Sequence, residues 1–160
     1  MRISLLTQPG CLTLIAGERL MTTRPSVLVA NRGEVAVRIM RAACELGWRC
    51  CAVYTDDDPL TSHLRMADEA VRLRGSGPKA YMDAAALVGA AVELGCGFLH
   101  PGYGFLSESA ELAGRCTEAG VRFVGPDQPT LALFVDKLAA RQLAFGQGVP
   151  VLAVSGPLAS

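Results

Sequence analysis

Residues 27–41 change their hydrophobic period halfway, and this change restricts the folds that are open to the chain. Residues 27–30 are a continuous apolar run, which is typical of a strand buried on both faces in a parallel sheet. After a turn at residues 31–33, apolar residues recur at helical spacing, and Gly47 ends the pattern. The pattern predicts a strand, a turn and a helix. The predicted buried face of that helix is formed by Ala36, Ile39, Met40 and Ala43.

The opposite face of the same helix is charged. Glu34, Arg38, Arg41 and Glu45 fall within a narrow angular sector. Glu34 and Arg38, like Arg41 and Glu45, are spaced for ion pairs one helical turn apart. By pattern alone, this stripe is a solvated helix face.

Strands and helices alternate along the rest of the chain. This alternation predicts an α/β fold, a doubly wound, Rossmann-like parallel sheet in three layers with strand order 3-2-1-4-5. Further strands are predicted at residues 49–54, 70–73, 97–100 and 122–124. Helices are predicted at residues 62–66 and 81–94, from an N-cap at Ser107 to residue 119, and at residues 130–134 and 137–146.

The globular pattern occupies only part of the chain. We expect an irregular tail over residues 1–24, one domain over residues 25–151, and a truncated tail over residues 152–160. Half of the residues are hydrophobic and the formal net charge is zero. This balance argues against disorder and against a nucleic-acid partner, and no apolar run is long enough to predict a membrane partner.

The six cysteines show no Cys-x-x-Cys spacing. Reduced core thiols of a cytosolic protein are the favoured interpretation, with a disulfide or a metal site as alternatives. Residues 56–58 are three consecutive aspartates, interpreted as a solvated turn that caps the short helix at residues 62–66. Three consecutive residues do not all aim at one cation, so no metal site is predicted there.

The predicted topology locates a site. Strands one and four are neighbours whose following helices lie on opposite faces, so a crevice opens beyond their carboxyl ends. The loops at residues 31–34 and 100–105 meet there, and the second contains two glycines, a proline and a tyrosine. Because glycine and proline punctuate any turn, an ordinary connection is the competing interpretation. A dinucleotide site is disfavoured, since its fingerprint needs three glycines and Gly33 stands alone.

Four segments resemble the amino-terminal part of biotin carboxylase. They are VANRGEVAVRI at residues 29–39, HPGYGFLSE at 100–108, FVGP at 123–126 and DK at 136–137. Two motifs of about ten residues recur at the family's separation, and the match extends roughly over residues 25–151. The resemblance implies the Rossmann-like domain that precedes an ATP-grasp region.

The resemblance also implies an activity. Biotin carboxylases use ATP, Mg²⁺ and bicarbonate to carboxylate biotin on a carrier domain, for acetyl-CoA, propionyl-CoA, methylcrotonyl-CoA, pyruvate or urea carboxylation. The family's ATP-grasp half carries the lid, the metal ligands and the catalytic groups, so no catalytic residue is predicted here and the chain is expected to be inactive alone. The alternative is a non-catalytic dimerisation or interaction module derived from this domain.

Individual residues are assigned by the same resemblance. Lys137 resembles the lysine that contacts the ATP phosphates, although a lone lysine is more often solvated. Tyr103 and Gly104 resemble residues on the biotin and bicarbonate side, and His100 resembles the residue that places their loop. For His100, a buried histidine bonded to nearby backbone is an equal alternative. The family usually has glycine where this chain has Val135. If that glycine adopts a left-handed conformation, the β-branched Val135 disfavours it, and Lys137 is then displaced.

The charged helix stripe acquires a second interpretation. Arg38, Arg41 and Glu45 match positions at the subunit interface of dimeric family members. The resemblance therefore implies three partners: the ATP-grasp half, the biotin carboxyl carrier domain and a second copy of the chain.

Overall fold

A six-stranded sheet runs through the computed structural model, which describes residues 3–4, 24–58 and 61–152. Its spatial order is β1-β4-β3-β2-β5-β6. All neighbouring pairs are parallel except β1 with β4, which is antiparallel. The strands are β1 (Ile3–Ser4), β2 (Ser26–Val29), β3 (Arg49–Tyr54), β4 (Glu69–Arg72), β5 (Phe98–His100) and β6 (Arg122–Phe123).

The five parallel strands confirm the predicted doubly wound topology. The chain starts at the central strand β2, moves outward to β3 and β4, and then returns to the other side of β2 to form β5 and β6. The two strands next to β2 are therefore β3 and β5, and the direction of winding reverses between β2 and β5. In the predicted numbering this is the order 3-2-1-4-5.

Helices cover both faces of the sheet, as the three-layer prediction requires. Alternate residues of β2 point to opposite faces, so Val27 and Val29 belong to one core and Leu28 to the other. Met40 of α1 packs in the first core, and Leu112 of α4 packs in the second. The helices are α1 (Gly33–Glu45), α2 (Ser62–Met66), α3 (Ala84–Glu93), α4 (Ala110–Glu118), α5 (Gln128–Val135) and α6 (Lys137–Gly146), with a 3-10 helix at Pro78–Met82.

Two predicted helix starts are wrong. The helix expected over residues 81–94 begins only at Ala84, because Asp83 is extended and its carboxylate accepts the Ala86 amide as an N-cap. The helix expected after Ser107 begins after Ser109 instead, whose hydroxyl accepts the Leu112 amide at 3.1 Å. Residues 105–108 form turns that delay this start.

The amino-terminal end of the chain differs from the prediction at one point. An irregular tail was expected over residues 1–24, but Ile3–Ser4 form a short strand that pairs with β4. Residues 1–2, 5–23 and 153–160 lie outside the described part, as does Cys11. Residues 149–152 form neither helix nor strand. Among the described residues, no helix combines the length and the apolar character needed to cross a membrane.

Candidate functional site

The side chain of Asn31 joins two loops at the carboxyl ends of β2 and β5. Its Nδ2 donates to the carbonyl oxygen of Pro101 at 2.7 Å and to that of Tyr103 at 3.0 Å. Its Oδ1 accepts the Arg32 amide at 2.8 Å. Asn31 is only 1% exposed, so all three bonds are made away from bulk water. The two loops predicted to form the crevice therefore meet, and a buried amide fixes their separation.

Glycine at position 102 is required by this contact. Its backbone has φ +72°, and a Cβ would lie 2.7 Å from both Asn31 Nδ2 and Val35 Cγ1. Gly104 has a similar φ of +70°, but a Cβ there would meet nothing within 4 Å. The first glycine thus allows close packing, whereas the second needs only its backbone conformation. Phe105 follows with φ +45°, rare for a side chain of this size.

His100 also holds the loop at residues 100–105, through a hydrogen bond to its backbone. Its Nδ1 accepts the Gly102 amide at 3.0 Å, so the proton of the neutral ring lies on Nε2. Burial lowers the pKa of His100, which keeps Nδ1 free to accept. The structure therefore shows the backbone-bonded histidine considered above, in the position from which it orders the loop.

Tyr103 reaches across the crevice to the other loop. Its hydroxyl donates to Glu34 Oε1 at 2.5 Å, although the side chain as a whole is 57% exposed. This hydrogen bond raises the pKa of Tyr103. Within the described part of the chain, Glu34 forms no ion pair with Arg38, and Arg41 forms none with Glu45. The predicted ion pairs on α1 are thus wrong.

A groove of about 440 Å³ opens beside Tyr103, on the α1 face of the sheet. Its walls are mainly apolar side chains of α1, with Trp48 at one end and Val124 near β6. The ring of Trp48 also packs on that of Phe98, with centroids 4.7 Å apart. His100, Gly102 and Tyr103 all line this groove.

Lys137 lies elsewhere. It is the first residue of α6, is exposed, and does not line the groove. The carboxylate of Asp136 caps this helix, accepting the amides of Leu138 at 2.8 Å and Ala139 at 3.1 Å. Val135 is the last residue of α5 and is outside the left-handed region, in which Phe105 is the sole non-glycine residue among those described. The structure thus brings His100 and Tyr103 together and leaves Lys137 on a separate helix.

A buried polar cluster near the crevice was missed in the sequence. Asp58 follows β3, and its carboxylate accepts the hydroxyl of Tyr81 at 2.5 Å and that of Thr55 at 3.1 Å. The Arg32 guanidinium lies 3.4 Å from the same carboxylate and 5.7 Å from the centre of the Tyr81 ring. Burial alone would raise the pKa of Asp58, but the bonds from Tyr81 and Thr55 and the charge of Arg32 outweigh it and lower that pKa.

This cluster corrects part of the interpretation of residues 56–58 as a solvated cap. Asp56 and Asp57 are exposed, as that interpretation requires, but the Asp58 side chain is only 7% exposed. Asp57 accepts the Gly77 amide at 2.7 Å and the Thr55 hydroxyl at 2.8 Å. The N-cap of α2 is Thr61, which makes no side-chain capping bond. The carboxylates of Asp57 and Asp58 therefore hold the carboxyl end of β3, and Asp58 also holds the turn that contains Arg32. Strand adjacency could have suggested that Arg32 and Asp58 share this edge, whereas the position of Tyr81 has no local signal.

The stripe of Arg38, Arg41 and Glu45 is exposed on the outer face of α1. Together with Ser62 and Arg65 of α2, these residues line an open depression between the two helices. No group of three histidine, cysteine or acidic side chains is placed to hold a metal ion within residues 3–4, 24–58 and 61–152.

The sequence family is decided by comparison with known proteins. The family model described as biotin carboxylase, N-terminal domain, matches residues 23–131, which is well over half of the chain. The chain belongs to the biotin carboxylase N-terminal domain family. The predicted resemblance and the predicted fold are both confirmed.

Relatives of this biotin carboxylase N-terminal domain are much longer proteins. Mitochondrial pyruvate carboxylase of Rattus norvegicus is 47% identical over 128 residues, covering 79% of this chain and 11% of that protein. The mitochondrial methylcrotonoyl-CoA carboxylase subunit alpha of Oryza sativa subsp. japonica is 48% identical over 128 residues, covering 79% of this chain and 17% of that protein. In eight of its curated relatives, the chain spans 11% to 24% of their length.

Solved structures give the same result. The biotin carboxylase domain of a single-chain bacterial carboxylase has a TM-score of 0.77 and 58% identity, covering 80% of this chain and 30% of that one. A single-chain, multi-domain long-chain acyl-CoA carboxylase has a TM-score of 0.82 and 52% identity, covering 86% of this chain and 14% of that one.

The two glycines of the loop should respond differently to alanine. Gly102→Ala places a Cβ 2.7 Å from Asn31 and Val35 in addition to the strained φ, so Asn31 must move and its bonds break. Gly104→Ala meets only the backbone strain, about 1–2 kcal/mol. We expect urea denaturation to show a clearly larger loss of unfolding free energy for Gly102→Ala. Equal losses would mean that the Asn31 contact does not constrain the loop.

The two histidines of the chain should lower the free energy of unfolding in mild acid, at a higher pH than the carboxylates titrate. Burial lowers the pKa of both His63 and His100 from 6.5, so the unfolded chain binds protons first. The free energy of unfolding should then be full above about pH 6.5 and fall as the pH drops toward 5. The pKa values of Asp57 and Asp58 lie below 3.8, so their effect begins only at lower pH.

Urea titrations between about pH 7.5 and pH 5 measure this fall. His100→Gln removes one of the two titrating groups and should reduce the slope. A flat profile over this range would contradict the assignment of two neutral histidines, one buried and one half-buried.

Proposed function

We propose that residues 25–151 act as the substrate-side domain of an enzyme that carboxylates biotin on a carrier with ATP and bicarbonate. The observation that carries this proposal is the crevice loop, which Asn31 and His100 hold in one conformation within a biotin carboxylase N-terminal domain. The relatives include a pyruvate carboxylase, a methylcrotonoyl-CoA carboxylase subunit and a putative urea carboxylase, whose names differ in the carboxyl acceptor.

Tyr103 and Gly104 are proposed to face biotin and bicarbonate, with His100 positioning them. The open space around Gly104 supports this role, because a ligand can approach its backbone closely. The Tyr103 hydroxyl is already bonded to Glu34, so the exposed ring offers mainly an apolar surface to biotin. The loop is formed before substrate arrives, which reduces the ordering cost of binding.

Lys137 is proposed to contact the ATP phosphates. The Asp136 carboxylate already accepts the amides of Leu138 and Ala139. An anion at this helix start would therefore bind mainly to the exposed ammonium group of Lys137. The Mg²⁺ ligands and the lid are assigned to the ATP-grasp half, and biotin arrives on the carrier domain. These two partners complete the proposed enzyme.

A hybrid enzyme tests the proposal. Residues 25–151 would replace the matching segment of the chloroplastic biotin carboxylase of Arabidopsis thaliana, which is 43% identical over 128 residues. We expect biotin- and bicarbonate-dependent ATP hydrolysis by the hybrid. A folded but inactive hybrid would favour the alternative, a non-catalytic dimerisation or interaction module.

The hybrid also tests Lys137. Lys137→Ala should raise KM for ATP by roughly tenfold or more, because a hydrogen bond to a charged group contributes about 1.5–3 kcal/mol. Lys79→Ala is the matched control, since Lys79 is also exposed and is the only other lysine of the chain. Equal KM values for the two variants would remove Lys137 from the ATP site.

Arg38, Arg41 and Glu45 are proposed as part of a subunit contact. They are exposed, and one solved relative is described as a biotin carboxylase domain dimer. A stable interface buries about 1,200 Å² or more, which exceeds what one helix stripe offers. We therefore expect a monomer or a salt-sensitive, micromolar dimer.

Sedimentation equilibrium measures this association. Arg41→Glu should weaken it, whereas Arg74→Glu, the same charge change at an exposed position outside α1, should not. A tight dimer that tolerates Arg41→Glu would place the contact on another surface.

A further inference from the structure

Two thiols meet where the end of α1 approaches β3. The Sγ atoms of Cys44 and Cys50 are 3.6 Å apart, joined by a weak thiol hydrogen bond. We propose that Cys44 and Cys50 form a reversible disulfide when the chain meets a hydroperoxide. The pair lies outside the crevice loops and is not used by the proposed carboxylation.

The two cysteines differ in their exposure to solvent. Cys44 is exposed on the last turn of α1, whereas Cys50 is fully buried in β3. The Cys50 thiol also lies 3.7 Å from the carbonyl oxygen of Met40 and 3.9 Å from that of Trp48. Burial, followed by the bond with Cys44, raises the pKa of Cys50 to about 12. Cys44 is therefore the sulfur that meets the oxidant, and Cys50 is the one that resolves it.

The chemistry balances with one peroxide. The Cys44 thiolate attacks an oxygen of hydrogen peroxide, the O–O bond breaks, and hydroxide leaves as water after protonation. Cys50 sulfur then attacks the Cys44 sulfenic acid, the S–O bond breaks, and the hydroxyl leaves as a second water with the Cys50 proton. Two electrons pass from the thiols to the peroxide. A dithiol such as dithiothreitol reverses the reaction.

Closure needs only a local movement. A disulfide requires about 2.05 Å between sulfurs, so the atoms must approach by about 1.5 Å from the observed 3.6 Å. The amides of Gly47 and Trp48 are bonded to the last turn of α1, and Arg24 is bonded to the carbonyl oxygens of both residues. The approach is therefore expected mainly from rotation of the Cys44 side chain, which leaves the buried face of α1 in place.

The turn carries a natural reporter. Trp48 is the only tryptophan of the chain, packs on Phe98 and lines the groove that also contains Tyr103. Cross-linking the residues on either side of it should shift its fluorescence. Oxidation of this pair is thereby linked to the shape of the groove.

A second pair of cysteines provides an internal comparison. Cys51 and Cys96 belong to the core on the other face of the sheet, and both are buried, at 0% and 4% exposed. Peroxide has no exposed sulfur to attack there. Adjacent residues of a strand point to opposite faces, so Cys51 does not reach Cys44.

Peptide mapping of the full chain tests the proposal. After hydrogen peroxide treatment, alkylation and trypsin digestion, the disulfide would link peptides 42–49 and 50–65, with a mass two hydrogens below their sum. We expect this species in the wild-type chain and its loss after dithiothreitol. The Trp48 emission change should appear and reverse with it.

Two neighbouring buried cysteines give matched variants. Cys51→Ala should keep the cross-link and Cys50→Ala should lower its yield by at least about tenfold, because only Cys50 faces α1. Cys44→Ser, at an exposed position, should abolish it without affecting folding. Three results would overturn the proposal: a cross-link that survives in Cys50→Ala, a wild-type chain in which Cys44 is oxidised only to sulfinic acid, or a link between Cys51 and Cys96 alone.

Discussion

The buried amide of Asn31 is the contact on which the crevice depends. A buried amide left without partners would cost roughly 1–3 kcal/mol, and here Nδ2 has two acceptors and Oδ1 has one donor. The same amide occupies the space that a side chain at Gly102 would need. The composition of the loop after β5 is therefore dictated by a residue 70 positions earlier. Changing either residue alone breaks a bond network or creates a clash, so the two loops behave as one unit.

The turn at residues 31–33 is also held from its other side. Arg32 pairs with Asp58, which is fixed in turn by the hydroxyl of Tyr81. Phe105 then stacks on the Tyr81 ring at 5.3 Å, which connects the loop after β5 to the same cluster. The left-handed conformation of Phe105 is disfavoured by about 1–2 kcal/mol, and this stacked contact offsets part of that cost. Both walls of the crevice thus rest on polar and aromatic contacts beneath the surface.

Hydrophobic periodicity was sufficient to predict the five parallel strands, the helices that cover them and the buried face of α1, because these follow from which residues must leave water. The order of the parallel strands followed from the topology of alternating strands and helices, and the edge pairing of β1 was not predicted. It did not predict the Asp58 cluster, since Tyr81 lies 23 residues away and its hydroxyl is placed by tertiary packing. The ion pair expected between Glu34 and Arg38 failed for a related reason. Such pairs contribute only about 0.2–0.5 kcal/mol, so the Tyr103 hydroxyl from another loop competes successfully for Glu34. The positions of His100 and Tyr103 followed from motif and topology together.

The two ends of the proposed site are held very differently. The loop of His100 and Tyr103 is fixed by buried bonds within the domain, and it needs no partner to take its shape. Lys137 starts a helix with no buried residue, and α5 before it buries only Leu131. These helices expose large apolar side chains, among them Phe134 at 59% and Phe145 at 74%. Burial of such surface is favourable at about 25 cal/mol per Å², so a domain packing against α5 and α6 would gain stability while it fixed Lys137. In the proposed enzyme, the loop assigned to the biotin side is therefore formed by this domain itself, whereas the helix start assigned to the ATP side would be fixed by assembly with a further domain.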